Sequence, residues 1–205
     1  MRRMLARRAS VGMTAAPVNI GPITARILRH YRAAAPHEID RGREWYAECR
    51  AVCEALSAGT SYSLETAAAV FAILSPRISY QQNIDAAAAV LAAHAAGAGP
   101  DAVVIPALGA NTRKAFAILQ GADNGRPARV SGPKVSAFWR AILGDTDAVT
   151  LDVWAYRAAV ARDIVTRVSE RAAVLEAYRR AAAAVGESPR DLQAIVWCHV
   201  RGAHD

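Results

Sequence analysis

The sequence of residues 132–157 is GPKVSAFWRAILGDTDAVTLDVWAYR. Gly132 and the proline after it interrupt the chain, and the apolar residues that follow recur at helical spacing, so a helix is predicted with Lys134 in its first turn. We expect this helix to end at Gly144, and we expect Asp152 to cap the next helix. Asp152 lies 18 positions after Lys134. This spacing is compatible with an amine and a carboxylate held over one reacting carbon.

Taken alone, Lys134 and Asp152 each have an ordinary structural explanation. Aspartate is a favourable N-cap residue, and a lysine in the first turn of a helix is commonly solvated. The predicted helix start at residue 133 also leaves backbone N–H groups unpaired, and such groups bind phosphate. The residue pattern alone leaves both the structural and the chemical interpretation open.

The rest of the chain also predicts helices. A turn is predicted at residues 36–40, and no stretch shows the alternation that is typical of a strand, so the predicted fold class is all-α. The helical segments, which have apolar residues at helical spacing and capping residues, prolines or glycines at their ends, are 22–34, 41–58, 64–74, 79–96, 111–119, one or two helices in 153–185, and a last helix from residue 189.

The composition is compatible with one compact domain. The chain has 205 residues, of which 53% are hydrophobic, and a chain of this size buries a sizeable core. We predict a flexible basic N-terminal arm at residues 1–16 and a single helical domain at residues 17–205. The net charge of +7 favours a surface that meets phosphates, although a basic protein without a nucleic-acid partner has the same property.

The three cysteines, Cys49, Cys53 and Cys198, lack the spacing of a metal site, and the histidines are not clustered. No metal and no cofactor are therefore predicted. The sequence shows neither a signal peptide nor a run of about 20 apolar residues. We expect a reducing, cytoplasmic location and no membrane partner.

Three segments together resemble the helix-hairpin-helix (HhH-GPD) DNA glycosylase superfamily, which includes endonuclease III and 8-oxoguanine glycosylase. Residues 132–157 are similar to its catalytic segment, in which Gly-x-Lys, an apolar helix and a turn precede an essential Asp and an Arg-bearing helix. Residues 72–84, AILSPRISYQQNI, resemble its Leu-Leu-Ser helix end and polar wedge loop. Residues 108–115, LGANTRKA, resemble its Asn-x-Lys-Ala helix start. The resemblance covers roughly residues 64–160.

The chain departs from the family pattern in three places. The hairpin, usually Leu-Pro-Gly-Val-Gly, is Ala-Arg-Val-Ser-Gly at residues 128–132, and the segment between Gly121 and Gly132 is shorter than usual. Trp154 occupies the position where a His often follows the catalytic Asp. The four-cysteine loop of the endonuclease III branch is missing, so no iron–sulfur cluster is expected.

The resemblance implies a two-lobed helical fold with the active site in the cleft between the lobes. Lobe A would comprise about residues 17–62 and 146–205. Lobe B would comprise about residues 63–145 and would carry the wedge loop and the hairpin. A monomer is expected.

The resemblance also implies roles for individual residues of a base-flipping enzyme. Asp152 would stabilise the oxocarbenium-like sugar, and Lys134 would attack the sugar carbon if the enzyme is also an abasic-site lyase. A lysine that only holds a phosphate is the alternative. Arg77 would fill the gap left in the base stack, and a simple phosphate contact is the alternative for this residue.

Further contacts are predicted around these residues. The predicted DNA contacts are Gln81, Gln82, Asn83, Arg129, Ser131 and Gly132. The aromatic residues predicted to line the base pocket are Trp45, Tyr46, Tyr80, Trp154 and Trp197. A solvated helix start explains residues 80–83 nearly as well, and large aromatic residues are more often part of the core.

The predicted function is a DNA glycosylase that flips out and excises a modified base from double-stranded DNA. A hypermodified or glucosylated pyrimidine is the preferred substrate, in phage defence or phage DNA metabolism. Two other functions fit the same scaffold. One is a non-catalytic module that recognises modified DNA, and the other is a transferase that modifies DNA bases.

Overall fold

The computed structural model describes residues 18–122, 130–164 and 167–202. Within these ranges the chain forms nine α-helices, one short 3₁₀ helix and no strand, so the all-α prediction is confirmed. The α-helices are α1 (Ile20–Ala33), α2 (Pro36–Ser57), α3 (Leu64–Leu74), α4 (Tyr80–Ala95), α5 (Gly109–Ala122), α6 (Pro133–Ile142), α7 (Val153–Val160), α8 (Val168–Val185) and α9 (Pro189–Gly202). The 3₁₀ helix, Pro100–Ala102, lies between α4 and α5.

Local side chains set the starts of several helices. The predicted cap at Asp152 is confirmed, because its Oδ1 accepts a hydrogen bond from the backbone N–H of Ala155 at 2.8 Å. Ser79 caps α4 in the same way, and its hydroxyl accepts from the N–H of Gln82 at 3.2 Å. These side chains replace the hydrogen-bond partners that the first N–H groups of a helix lack.

The turn predicted at residues 36–40 is wrong, because these residues form the first turn of α2. Pro36 occupies the first helical position, where its fixed φ suits a helix and its missing N–H costs nothing. The Glu38 carboxylate then accepts from the backbone N–H of Ala35 at 2.8 Å, which is the glutamate half of a capping box. The segment 153–185 is confirmed as two helices, and the first ends at Ala161, whose φ is +56°.

The buried apolar side chains form two clusters. The first surrounds α3, in which every residue from Thr66 to Leu74 is buried, and it includes side chains of α2, α4, α5 and α6. The second is formed mainly by α1, α7, α8 and α9. Tyr46, Cys49 and Cys53 of α2 belong to the first cluster.

Helices α2 and α9 join the two clusters, because they cross at very short range. A Cβ atom placed on Gly42 would lie 2.5 Å from the Cα of Ile195. Glycine is therefore required at this crossing, since any other side chain would collide with the α9 backbone. Helix α6 is attached to α3 by a hydrogen bond of 3.0 Å from Trp139 Nε1 to the carbonyl of Glu65.

Some predictions concern residues outside the described ranges. These are the flexible arm at residues 1–16, Arg129 and most of the shortened hairpin segment. Within the described ranges, no helix combines the length and apolar character that crossing a membrane requires.

Candidate active site

A cavity of about 670 Å³ lies where α2, α6, α7, α9 and the loop between α3 and α4 meet. Many of the predicted site residues line it together: Lys134, Asp152, Arg77, Asn83, Trp45, Tyr46, Tyr80, Trp154 and Trp197. Its volume is within the usual range for pockets that bind small ligands. The cavity therefore brings the predicted amine, carboxylate and aromatic residues to one place.

The Asp152 carboxylate is held by two donors. Its Oδ1 accepts from the backbone N–H of Ala155 at 2.8 Å, and its Oδ2 accepts from Trp197 Nε1 at 3.1 Å. Burial raises the pKa of this carboxyl, and the Ala155 N–H, the positive charge of Lys134 and the Trp197 N–H oppose that rise. The site thus holds a carboxylate in fixed orientation on the cavity wall.

Trp197 belongs to a row of rings on one wall of the cavity. We call Tyr80, Trp45 and Trp197 the aromatic row. The ring centroids of Tyr80 and Trp45 are 5.1 Å apart, and those of Trp45 and Trp197 are 5.0 Å apart. The guanidinium carbon of Arg201 lies 4.9 Å from the Trp197 ring centroid, at the distance of a cation–π contact.

A buried polar network lies beside Asp152. Tyr46 Oη donates to Gln193 Oε1 at 2.9 Å and lies 3.0 Å from Thr150 Oγ1. If Thr150 donates to Tyr46 and Tyr46 donates to Gln193, each hydroxyl proton has an acceptor. The Gln193 carbonyl is then engaged, and its amide N–H groups are left for a ligand in the cavity that Gln193 lines.

Lys134 occupies the second position of α6, next to a backbone that only glycine adopts easily. Gly132 has φ of +94°, and no side chain caps the helix. Ser136 Oγ donates to the carbonyl of Val130 at 2.9 Å and ties the approaching chain to the helix. Ser131 and Gly132 are exposed at this helix start and do not line the cavity.

Arg77 is exposed, lines the cavity and has a left-handed backbone with φ of +69°. This conformation is uncommon for a residue other than glycine, and strained residues of this kind cluster at functional sites. The proline at position 76 precedes it and ends the run of α3. The chain thus presents the long guanidinium side chain on a sharp loop beside the cavity.

The polar residues at the start of α4 have structural partners. Gln81 Nε2 donates to Asp85 at 3.0 Å, and Gln82 Oε1 accepts from the backbone N–H of Ser79 at 2.9 Å. Neither side chain lines the cavity. Asn83 does line it, but its amide nitrogen donates to the carbonyl of Phe71 at 3.1 Å. Contacts of these three residues with DNA stay a prediction.

Several cavity residues were not predicted from the sequence: Phe138, Thr150, Gln193 and Arg201. Their helical spacing was a usable signal. Gln193 and Arg201 lie four residues before and after Trp197, and Phe138 lies four residues after Lys134. Residues four apart share one face of a helix.

The described residues include no group of three or more His, Cys, Asp or Glu side chains that could hold a metal ion. Burial raises the pKa of the thiols of Cys49, Cys53 and Cys198. These thiols are therefore protonated at neutral pH, and a protonated thiol is a poor metal ligand.

No curated protein and no solved structure matches the chain. One family profile, whose description is "Family of unknown function (DUF7178)", matches residues 10–204. Because the match spans nearly the whole sequence, the chain belongs to this family.

Proposed function

We propose that the protein is a DNA glycosylase of the HhH-GPD type, which flips a modified base out of double-stranded DNA and excises it. The observation that carries the proposal is the cavity shared by Asp152, Lys134 and the aromatic row. A base taken out of the helix needs a concave site with rings to stack on. Asp152, on the wall of that site, would lie beside the sugar carbon C1′, where positive charge develops as the base leaves.

In the proposed mechanism, the bond between C1′ and the base breaks, and its electron pair leaves with the base. The sugar becomes positively charged, and the ionised Asp152 stabilises that charge. Water then adds to C1′, and Asp152 accepts its proton. In the lyase variant, the amine of Lys134, once it has lost its proton, adds to C1′ in place of water and passes a further proton to Asp152. The C1′–O4′ bond of the sugar ring then opens, O4′ takes up a proton, and the Schiff base forms.

The loop at Arg77 supports the flipping step. A flipped nucleotide leaves a gap in the stack, and a planar guanidinium fills such a gap and donates hydrogen bonds to the orphaned base. The left-handed φ of Arg77 projects the side chain from a short loop rather than from a helix. The Arg77 side chain is exposed and therefore accessible to DNA.

The two hydrophobic clusters support a two-lobed arrangement with the active site between the lobes. Lys134 and the Arg77 loop adjoin the cluster around α3, whereas Asp152 and Trp197 lie on α7 and α9, which build the other cluster. Helix α2 contributes side chains to the cluster around α3. The boundary between the proposed lobes therefore runs along α2 and does not fall after residue 62.

The proposed substrate is a base with a bulky substituent, such as a hypermodified or glucosylated pyrimidine. A cavity of about 670 Å³ suits ligands of drug-like size and therefore admits more than a flat ring. The proposed setting is phage defence or phage DNA metabolism, where such bases occur.

A second function, a non-catalytic module that recognises modified DNA, is favoured by one observation. Both oxygens of Asp152 already accept structural hydrogen bonds, one from Ala155 and one from Trp197. A carboxylate with a purely structural role would have these contacts too, since the Ala155 bond caps α7 and the Trp197 bond ties α7 to α9. The two functions differ in whether the carboxylate is needed for a reaction or only for the fold.

The discriminating experiment incubates the protein and Asp152→Asn with duplexes that carry a panel of modified bases, including glucosylated hydroxymethylcytosine. Each sample is divided between direct and alkali-treated gels. Alkali-dependent strand breaks that require Asp152 would support a glycosylase, and breaks without alkali would add the lyase step. Intact strands with DNA bound equally by both proteins would support the binding module.

A further inference from the structure

The indole of Trp197 makes a hydrogen bond that a residue would not need if it only lined the cavity. Its N–H donates to Asp152 Oδ2 at 3.1 Å, from α9 to the start of α7. We propose that Trp197 is a positioning residue that fixes the Asp152 carboxylate in its orientation and in its ionised form. This inference rests on the proposed function and adds a second role to a ring that lines the cavity.

The indole is well placed to act as a fixed donor. The Trp45 ring packs against it at a centroid distance of 5.0 Å, and the Arg201 guanidinium lies over it at 4.9 Å. The helix beneath it is anchored, since Ile195, Val196 and Cys198 are buried. A donor held on a rigid element loses little freedom when it forms its hydrogen bond, so the geometry at Asp152 is set in advance.

The two donors leave a defined part of the carboxylate for chemistry. An ionised carboxylate has about four acceptor positions, and Ala155 N–H and Trp197 N–H occupy one on each oxygen. The backbone N–H of Trp154 also interacts with the carboxylate, and the position that stays open serves the sugar and the attacking water. Hydrogen bonds to the charged form also favour ionisation, which the reaction requires.

Other charged or titratable groups lie near the same carboxylate. Lys134 on α6 favours its ionised form, and the pKa values of Tyr46 on α2 and Tyr178 on α8 respond to its charge. Arg201 lies on the cavity wall beside Trp197. Trp197→Phe changes none of these groups and keeps an aromatic ring beneath Arg201, so the contribution of the indole N–H can be measured separately.

The test compares Trp197→Phe with Trp45→Phe. Both variants lose an indole N–H from the same wall of the cavity, but only the first loses the hydrogen bond to Asp152. The ¹³C resonance of the Asp152 carboxyl, assigned by its loss in Asp152→Asn, is titrated by NMR. We expect its midpoint to move to higher pH in Trp197→Phe and to stay near the wild-type value in Trp45→Phe.

The same variants are assayed for base release as a function of pH. We expect the acidic limb of the rate profile to move to higher pH in Trp197→Phe, with a rate loss of about tenfold near neutral pH, on the scale of one charge-assisted hydrogen bond. Trp197→Gln keeps an N–H three bonds from Cβ, and its midpoint should lie closer to that of the wild type.

An unchanged Asp152 midpoint in Trp197→Phe, or equal shifts in both phenylalanine variants, would overturn the inference. The NMR titration does not depend on activity. If the wild-type protein releases no base but the midpoint still shifts only in Trp197→Phe, the positioning role stands and the proposed function fails. If base release is normal and the midpoint does not shift, only the positioning role fails.

Discussion

Lys134 and Asp152 line one cavity from two different helix starts, and the positive charge of Lys134 counteracts the rise that burial causes in the pKa of Asp152. The two residues lie 18 positions apart in the sequence. Their proximity requires α6 and α7 to meet with their N-termini at the same cavity. Each helix N-terminus also carries partial positive charge, which favours an anionic group or phosphate there.

If the protein is the proposed glycosylase, replacing Lys134 should separate base excision from strand cleavage. In Lys134→Gln we expect loss of the covalent adduct that borohydride traps between a Schiff-base lysine and DNA, because the amine is gone. Base release, detected as alkali-dependent strand breaks, should persist at a reduced rate, since the carboxylate remains but its supporting charge is lost. Gel assays with and without borohydride measure both activities. Adduct formation by Lys134→Gln would show that another amine is the nucleophile.

The stability of the protein should depend on pH through Asp152. Its pKa is raised in the folded state, so the folded protein binds the proton more tightly than the unfolded chain, and stability falls as pH rises through the folded pKa. The Tm of Asp152→Asn minus the Tm of the wild type should therefore be largest at neutral pH. This difference should shrink as pH is lowered toward the ordinary carboxyl range. Calorimetry at several pH values measures it, and a difference that grows on acidification would contradict the prediction.

Two variants of Arg77 should differ in stability but share the same loss of the proposed activity. Its φ of +69° costs a residue with a Cβ about 1–2 kcal/mol relative to glycine. We expect Arg77→Gly to unfold at a higher urea concentration than Arg77→Ala, whereas both lose base release because both lack the guanidinium. Equal stability of the two variants would mean that the loop relaxes at no cost, and retained base release would remove Arg77 from the flipping step.

The crossing of α2 and α9 should tolerate no side chain at Gly42. A Cβ there would lie 2.5 Å from the Ile195 Cα, so we expect Gly42→Ala to lower the free energy of unfolding by about 1–3 kcal/mol, the usual cost of overpacking. Gly21→Ala is the matched control, because its nearest neighbour would be Asn19 Oδ1 at 3.4 Å, an ordinary contact. Urea unfolding measures both. A neutral Gly42→Ala would show that the helices separate easily.

Features set by neighbouring residues were predictable from the sequence. The cap at Asp152 and the helical fold class depend on local hydrogen bonds and spacing, and both are confirmed. The turn predicted at residues 36–40 is wrong because a proline is compatible both with a turn and with the first position of a helix. Gln193 was not predicted as a cavity residue, because its place depends on how α9 packs rather than on the sequence around it.

The aromatic residues show why core and cavity could not be separated beforehand. Tyr46 is buried in the cluster around α3 and also lines the cavity, where its hydroxyl bonds to Gln193. Large aromatic residues serve both purposes, since their rings pack while one edge or polar atom stays available. Only the packed structure distinguishes the face that meets the core from the face that meets a ligand.

The backbone contact at Gly42 fixes more than the packing of two helices. Trp45 lies one turn after Gly42 on α2, and Trp197 lies two residues after Ile195 on α9, so the same crossing sets the spacing of both indoles. The wall that carries them is therefore formed by the packing of the protein itself. In the proposed glycosylase, we therefore expect adaptation to bases of different size at the Arg77 loop and the start of α6, which do not take part in this crossing.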